Sequence, residues 1–270
     1  MTLGSHPIGI FDSGIGGATV LRQLQRLLPY EDLLFLADHA NCPYGARPAA
    51  ELRALSAANT RWLLDRGAKQ IVVACNTASA AALHWLRREF AHVPFVGMVP
   101  AVKPAAAQTR SGVVGVLATP TTIRGALLDE VVLRWAGGAQ VLRQGCPGLV
   151  ERIEAGELNT PSTLALLETY LRPLLAAGAD TLVLGCTHYP FLAPQIQQIA
   201  GSHVRLLDAA PAVARQAGRV LAERGLLRPV GAGAGAITYA TTGDTTALAG
   251  LISRLALPPG LVVRADTTAR

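Results

Sequence analysis

Strand-length apolar runs alternate with segments of helical period along this chain, and that alternation restricts it to a narrow set of folds. The runs fall at Ile8–Phe11, Leu33–Ala37, Ile71–Ala74, Phe95–Val99, Val113–Ala118, Ala139–Leu142, Thr181–Gly185, Val204–Leu207 and Ile237–Ala240. Between them the spacing predicts helices over Thr19–Leu28, Pro48–Arg66, Ala78–Phe90, Ile123–Trp135, Ser162–Ala177, Ala209–Arg224 and Thr245–Leu255. Pro48 suits a first helical turn, and Gly67 and Gly178 stand where helices stop. Strands apolar along both faces must be covered on both sides, which argues for α/β layers with doubly wound parallel sheets. The glycine-rich stretch Leu226–Ala236 reads as a flexible loop, and the residues after Pro259 as a loose tail.

A weak internal repeat divides the chain. I-G-I-F-D-S at Ile8–Ser13 is echoed by V-G-V-L-A-T at Val114–Thr119, and Cys75 by Cys186 at nearly the same offset. Two similar α/β domains follow: residues 1–98 with 209–270, carrying Cys75, and residues 99–208, carrying Cys186.

The length of 270 residues accommodates two moderate domains, each with its own core. Mean hydropathy is high at +0.33. Even so, the longest apolar candidate, Ile71–Leu86, is interrupted by Asn76, Thr77, Ser79 and His84, so no membrane span or membrane partner is expected. Residues 1–13 lack the pattern of a secretory signal. Four cysteines, at 42, 75, 146 and 186, show no C-x-x-C spacing and are too sparse for a disulfide scaffold, which favours a reducing cytoplasm. The net charge of +6 comes from scattered arginines rather than a basic patch. Nucleic-acid binding is therefore not expected as the main role.

The chemistry concentrates in a few loops. Cys75 and Cys186 each close an apolar run and lead into small polar residues, the layout of a strand feeding a helix N-terminus, where negative charge is favoured. A thiol there tends toward the thiolate, the form that acts as base or nucleophile. His188, two residues after Cys186, is a candidate partner acid or base. D-S-G-I-G-G at Asp12–Gly17 puts a carboxylate at the end of a strand, where open α/β sheets bind ligands. It is not a dinucleotide fingerprint, because the glycine spacing is wrong and no acidic residue ends the next strand in the expected way. No cysteine or histidine pair has zinc spacing, so no metal is expected. Pyridoxal phosphate would need Lys69 or Lys103, and Lys69 reads as lying on an exposed turn. A Cys–His hydrolase would leave one of the two thiols unexplained.

Taken together, D-S-G-I-G-G (Asp12–Gly17), A-D-H-A-N-C-P-Y-G (Ala37–Gly45), A-C-N-T-A-S-A (Ala74–Ala80), G-C-T-H-Y-P (Gly185–Pro190) and T-T-G-D (Thr241–Asp244) resemble the signatures of the glutamate racemase family, in the family's order. The resemblance implies two domains facing each other across a central cleft and a cofactor-independent reaction supplying D-glutamate for peptidoglycan. It makes Cys75 and Cys186 the catalytic thiols, the first acting on D-glutamate and the second on L-glutamate. Asp12 falls beside the first, His188 beside the second, and Glu154 at the family's glutamate. Ser13, Tyr44, Gly45, Asn76, Thr77, Thr119, Thr187 and His188, with Asp12, fall at substrate-binding positions. Departures are Cys42, Ala18, and Gly148 after Cys146-Pro147. V-P-A-V-K-P-A (Val99–Ala105) resembles the form in members activated by a peptidoglycan precursor, and homodimers are common in such enzymes.

Physical reasoning leads to the same chemistry. Inverting a stereocentre through a planar carbanion needs an acid and a base on opposite faces, and one thiol per domain provides them. The substrate carboxylates would be held by N–H groups and hydroxyls, since the motif loops contain neither Lys nor Arg. A racemase of aspartate or another amino acid, or a two-domain protein that holds an acidic ligand without turnover, is compatible with the same residues.

Overall fold

β1 (Ile8–Asp12) is buried at every position because it lies in the interior of a parallel sheet. α1 (Ala18–Leu27) leads to β2 (Leu33–Ala37), and α2 (Ala49–Leu64) returns the chain past β1 to β3 (Gln70–Val73). Right-handed crossovers in opposite directions put α1 and α2 on opposite faces of the sheet. α3 (Asn76–Glu89) and the two-residue β4 (Phe95–Val96) complete this stretch. The second unit runs α4 (Val102–Gln108), β5 (Val113–Ala118), α5 (Pro120–Ile123), α6 (Ala126–Trp135), β6 (Gln140–Gly145), α7 (Leu149–Glu154), α8 (Pro161–Ala176), β7 (Thr181–Leu184), α9 (Ala193–Ala200) and β8 (Arg205–Asp208). The chain then returns with α10 (Ala210–Glu223), β9 (Ile237–Thr241), α11 (Thr245–Arg254) and β10 (Leu261–Arg264). These coordinates are a computed structural model that describes residues 3–267.

By its contacts the chain separates into Met1–Met98 with Ala210–Arg270, and Val99–Ala209. The first unit has a six-stranded parallel sheet in the order β10-β9-β2-β1-β3-β4, and the second a four-stranded one in the order β6-β5-β7-β8. Four strands of the first, β2-β1-β3-β4, repeat the order of the second. The correspondence reaches single hydrogen bonds. Ala74 N donates to Phe11 O at 2.9 Å and Gly185 N to Leu117 O at 2.7 Å, while Asp38 N on Asp12 O matches Cys146 N on Ala118 O. It reaches the glycines too. A Cβ on Gly9 would lie 2.8 Å from Ala68 Cβ, and one on Gly115 would lie 2.7 Å from Leu182 Cδ2, so both first strands are bare at the same place.

Each unit has its own apolar centre. Phe11, Leu36, Leu52, Leu63, Ile71, Val73 and Leu86 pack in the first, and Val102, Val114, Val116, Leu128 and Val183 in the second. At about 1.5–3 kcal/mol for each large side chain removed from water, burial of this kind is the main term holding each unit.

Several expectations need correction. Residues 261–264 are not a loose tail but β10, paired in parallel with β9 from Leu261↔Thr238 to Arg264↔Thr241. The helix expected over Ile123–Trp135 is broken at Gly125, whose backbone is extended. Short α4, α7 and α9 were not anticipated. Lys69 is not on an exposed turn: its ammonium is buried 2.5 Å from Glu31 Oε2 and 2.7 Å from Gly4 O. The stretch Leu226–Ala236 has no regular structure, yet Arg228 N donates to Glu31 Oε1 and Ala236 N to Asp32 Oδ1. Among the described residues no helix is long and apolar enough to cross a membrane.

Candidate active site

The candidate residues of the first unit gather at the C-terminal ends of β1, β2 and β3. Asp12 is the last residue of β1, and its buried carboxylate accepts from Ser13 N at 2.7 Å and Gly17 N at 2.6 Å, with Ser13 Oγ at 3.3 Å. Gly17 permits this: a Cβ there would stand 2.8 Å from Asp12 Cβ and 2.9 Å from Phe35. Two residues past β3, Cys75 is the N-cap of α3, and its Sγ accepts from Ala78 N at 3.4 Å. The positive end of a 14-residue helix therefore favours negative charge at that sulfur. Ser79 pins the turn, donating to Val73 O and accepting from Met98 N.

Asn76 and Thr77 follow, both buried. Among the described residues neither amide atom of Asn76 has a hydrogen-bond partner. A buried amide without partners is costly, and a ligand that both donates and accepts would satisfy it. Tyr44 stands in a short turn with Gly45; its hydroxyl donates to Asp38 Oδ2 at 2.5 Å and accepts from Asn59 Nδ2 at 3.0 Å. Burial, and then the neighbouring Asp38, hold the Tyr44 phenol well above its ordinary range.

Asp38 and Asn59 were not singled out from the sequence. Asp38 directly follows β2, but its carboxylate is taken up within the protein: Tyr44, Asn41 and Thr242 all donate to it. This assigns the T-T-G-D segment a structural part. Thr241 Oγ1 lies 2.8 Å from His39 Nδ1, and Asp244 caps α11 through Ala247 N. Cys42 is half-exposed beside a cis bond to Pro43.

The second unit builds its site at the ends of β5 and β7. Cys186 stands two residues past β7, as Cys75 does past β3, and Thr187 and His188 follow it into the interior. Cys186 Sγ lies 3.7 Å from His188 Nδ1, and His188 Nε2 lies 2.6 Å from Glu154 Oε1. Glu154 is the last residue of α7, which opens at Gly148 in the left-handed region, φ 85°, so the departure at that position starts the helix that delivers the carboxylate. Burial alone would lower the basicity of His188. Hydrogen bonds to Cys186 and Glu154, and their charges, outweigh it and hold the imidazole well above its ordinary value. Thr119 caps α5, accepting from Thr122 N at 3.3 Å.

Chemically, thiol, imidazole and carboxylate are linked in a row through Cys186, His188 and Glu154, and Cys75 is a thiol at a helix start. Lys103 stands 3.8 Å from the Trp135 ring centroid. Among the described residues no cluster of three or more His, Cys, Asp or Glu side chains is arranged to hold a metal ion.

Residues 8–217 match the family model for Asp/Glu/Hydantoin racemase. The chain is 62% identical over 264 residues to the glutamate racemase of Roseiflexus sp. (strain RS-1), covering 98% of this chain and 97% of that protein. It superposes with a TM-score of 0.82 on the glutamate racemase of Thermus thermophilus in complex with β-chloro-D-alanine, at 38% identity over 97% of this chain and 98% of that one. The Escherichia coli glutamate racemase, solved with L-glutamate and the activator UDP-MurNAc-Ala, gives a TM-score of 0.84 at 33% identity, covering 96% and 97%.

Proposed function

The chain belongs to the Asp/Glu/hydantoin racemase family, among its glutamate racemases, and from that premise we propose that it interconverts L- and D-glutamate with Cys75 and Cys186 as alternating base and acid. It is thus an isomerase. One observation carries the mechanism: in each unit a thiol stands two residues beyond the strand that neighbours the unit's first strand.

In the proposed reaction Cys75 as thiolate removes the Cα proton of D-glutamate, and the C–H electron pair passes into the planar carbanion. Cys186 as thiol then delivers its proton to the opposite face, giving L-glutamate. The reverse reaction starts at Cys186. His188, backed by Glu154, keeps a proton next to Cys186 and so supports its thiolate, and Asp12 is assigned the corresponding role for Cys75. Ser13, Tyr44, Gly45, Asn76, Thr77, Thr119 and Thr187 bind the substrate, and the two unpartnered amide atoms of Asn76 support that assignment. Both proton transfers are served by side chains of the chain itself, so the reaction is proposed to need no cofactor.

The reading extends to D-glutamate supply for peptidoglycan and to activation by a precursor of the UDP-MurNAc-Ala kind. The activator of the Escherichia coli relative and the V-P-A-V-K-P-A segment support the latter. Thiols that must stay reduced to act favour a cytoplasmic setting. The test is exchange in D₂O: each glutamate enantiomer should acquire deuterium at Cα with reduced enzyme and no added cofactor. Folded enzyme that exchanges neither would overturn the proposal. A kcat/KM for aspartate equal to that for glutamate would overturn the substrate assignment.

A further inference from the structure

Tyr189 is fully buried, and the proton transfers do not use it. Its backbone N–H donates to Cys186 O at 3.1 Å, closing the turn that carries Thr187 and His188. Its hydroxyl reaches across the unit to Cys146 O at 3.2 Å. Cys146 is itself fixed to the end of β5 by its N–H on Ala118 O at 2.9 Å. The next carbonyl, Pro147 O, accepts from the hydroxyl of Tyr170 on α8 at 2.7 Å. Two tyrosine hydroxyls therefore hold consecutive carbonyls immediately before Gly148, where α7 begins.

α7 has only six residues, too few to persist through its own hydrogen bonds. Its direction is set by its buried Leu149, Val150 and Ile153 and by how its first turn is anchored. That direction matters because its last residue is Glu154, whose contact with His188 is a single short hydrogen bond.

We propose that Tyr189 is a positioning residue of the Cys186 half-site, locking the Cys186–His188 turn to the start of α7 so that Glu154 meets His188. Tyr170 supports the same anchor from the outer side. The proposal rests on the reading of Cys186, His188 and Glu154 as an acid–base relay. Misplacement of a catalytic group by a fraction of an ångström lowers rate without necessarily unfolding the site.

The experiment is a double-mutant cycle on kcat and KM in the full-length enzyme. Tyr189→Phe keeps the ring and its packing and removes only the hydroxyl. It should lower kcat by about 10-fold with little change in KM. In the Glu154→Gln background the same change should cost less than about 3-fold, since a residue that acts through Glu154 has little left to position. Tyr170 is partly exposed, so Tyr170→Phe provides a variant whose folding is not at stake, and it should show a smaller loss with the same dependence on Glu154. Equal losses in both backgrounds, or no loss from either tyrosine, would overturn the positioning role while leaving the relay intact. If Glu154→Gln alone left the rate unchanged, the relay itself would fall, and with it the proposal.

Discussion

His188 and Glu154, 34 residues apart in the chain, meet through a 2.6 Å contact between Nε2 and Oε1. Against the opposing effect of burial, hydrogen bonds to Cys186 and then to Glu154, with their charges, hold the imidazole well above its ordinary 6.5, so folding favours the protonated form. A raised folded value stabilises the native state fully below the unfolded pKa, and the gain is lost as pH rises through the folded value. Wild-type protein should therefore lose thermal stability from about pH 6.5 upward. Glu154→Gln should flatten that loss, which denaturation curves across the range would show.

Cys75→Ser replaces a thiol by a much weaker acid, and kcat/KM should fall by at least about 100-fold. Enantiomers are equal in free energy, so kcat/KM must fall by the same factor in both directions. The asymmetry appears in isotope effects instead. Proton abstraction from D-glutamate becomes limiting, so Cα-deuterated D-glutamate should show a large primary effect and deuterated L-glutamate a small one. The reverse pattern would exchange the roles of the two thiols.

The buried pair of Lys69 and Glu31 ties Gly4 and the Arg228 loop to the N-terminal end of the first sheet, opposite the ends that carry Asp12 and Cys75. Lys69→Met should destabilise by about 3–5 kcal/mol, because it leaves a buried carboxylate without its cation. Lys69→Met with Glu31→Leu should recover much of the loss. Urea denaturation gives both values, and activity per folded molecule should be retained throughout.

Gly17→Ala puts a methyl within 3 Å of Asp12 Cβ and the Phe35 ring. Neither can move far in a packed interior, so a loss of about 1–3 kcal/mol is expected. Because the displaced residue is Asp12, kcat/KM should also fall by about 10-fold. Calorimetry together with steady-state rates would show whether both effects occur.

The sequence made the parallel α/β layers legible because buried central strands such as β1, β5 and β7 are apolar apart from Asp12 at the end of β1 and Thr181 at the start of β7. β10 escaped notice for the opposite reason: as an edge strand, Leu261–Arg264 is half solvated, and two prolines precede it. α4, α7 and α9 are too short to display a helical period. Cys75, Cys186 and His188 could be found because small polar residues follow an apolar run. Asp38 could not be weighed, since what distinguishes it is contact with Tyr44 and Thr242, and Thr242 lies 204 residues away. The burial of Lys69 is not legible in the sequence, because a lysine just before a strand normally faces water and its partner Glu31 is 38 positions distant.

The first unit is interrupted, and that has a consequence for how the polypeptide matures. All strands of the second sheet lie between residues 113 and 208, so that sheet has its complete set of strands as soon as that stretch has been synthesised. β2, by contrast, waits for β9, just over two hundred residues downstream, before its open flank is paired. During translation the nascent chain therefore carries an unprotected apolar edge at Leu33–Ala37 until residues 237–241 emerge, and a product truncated before residue 237 would be prone to aggregate through that strand.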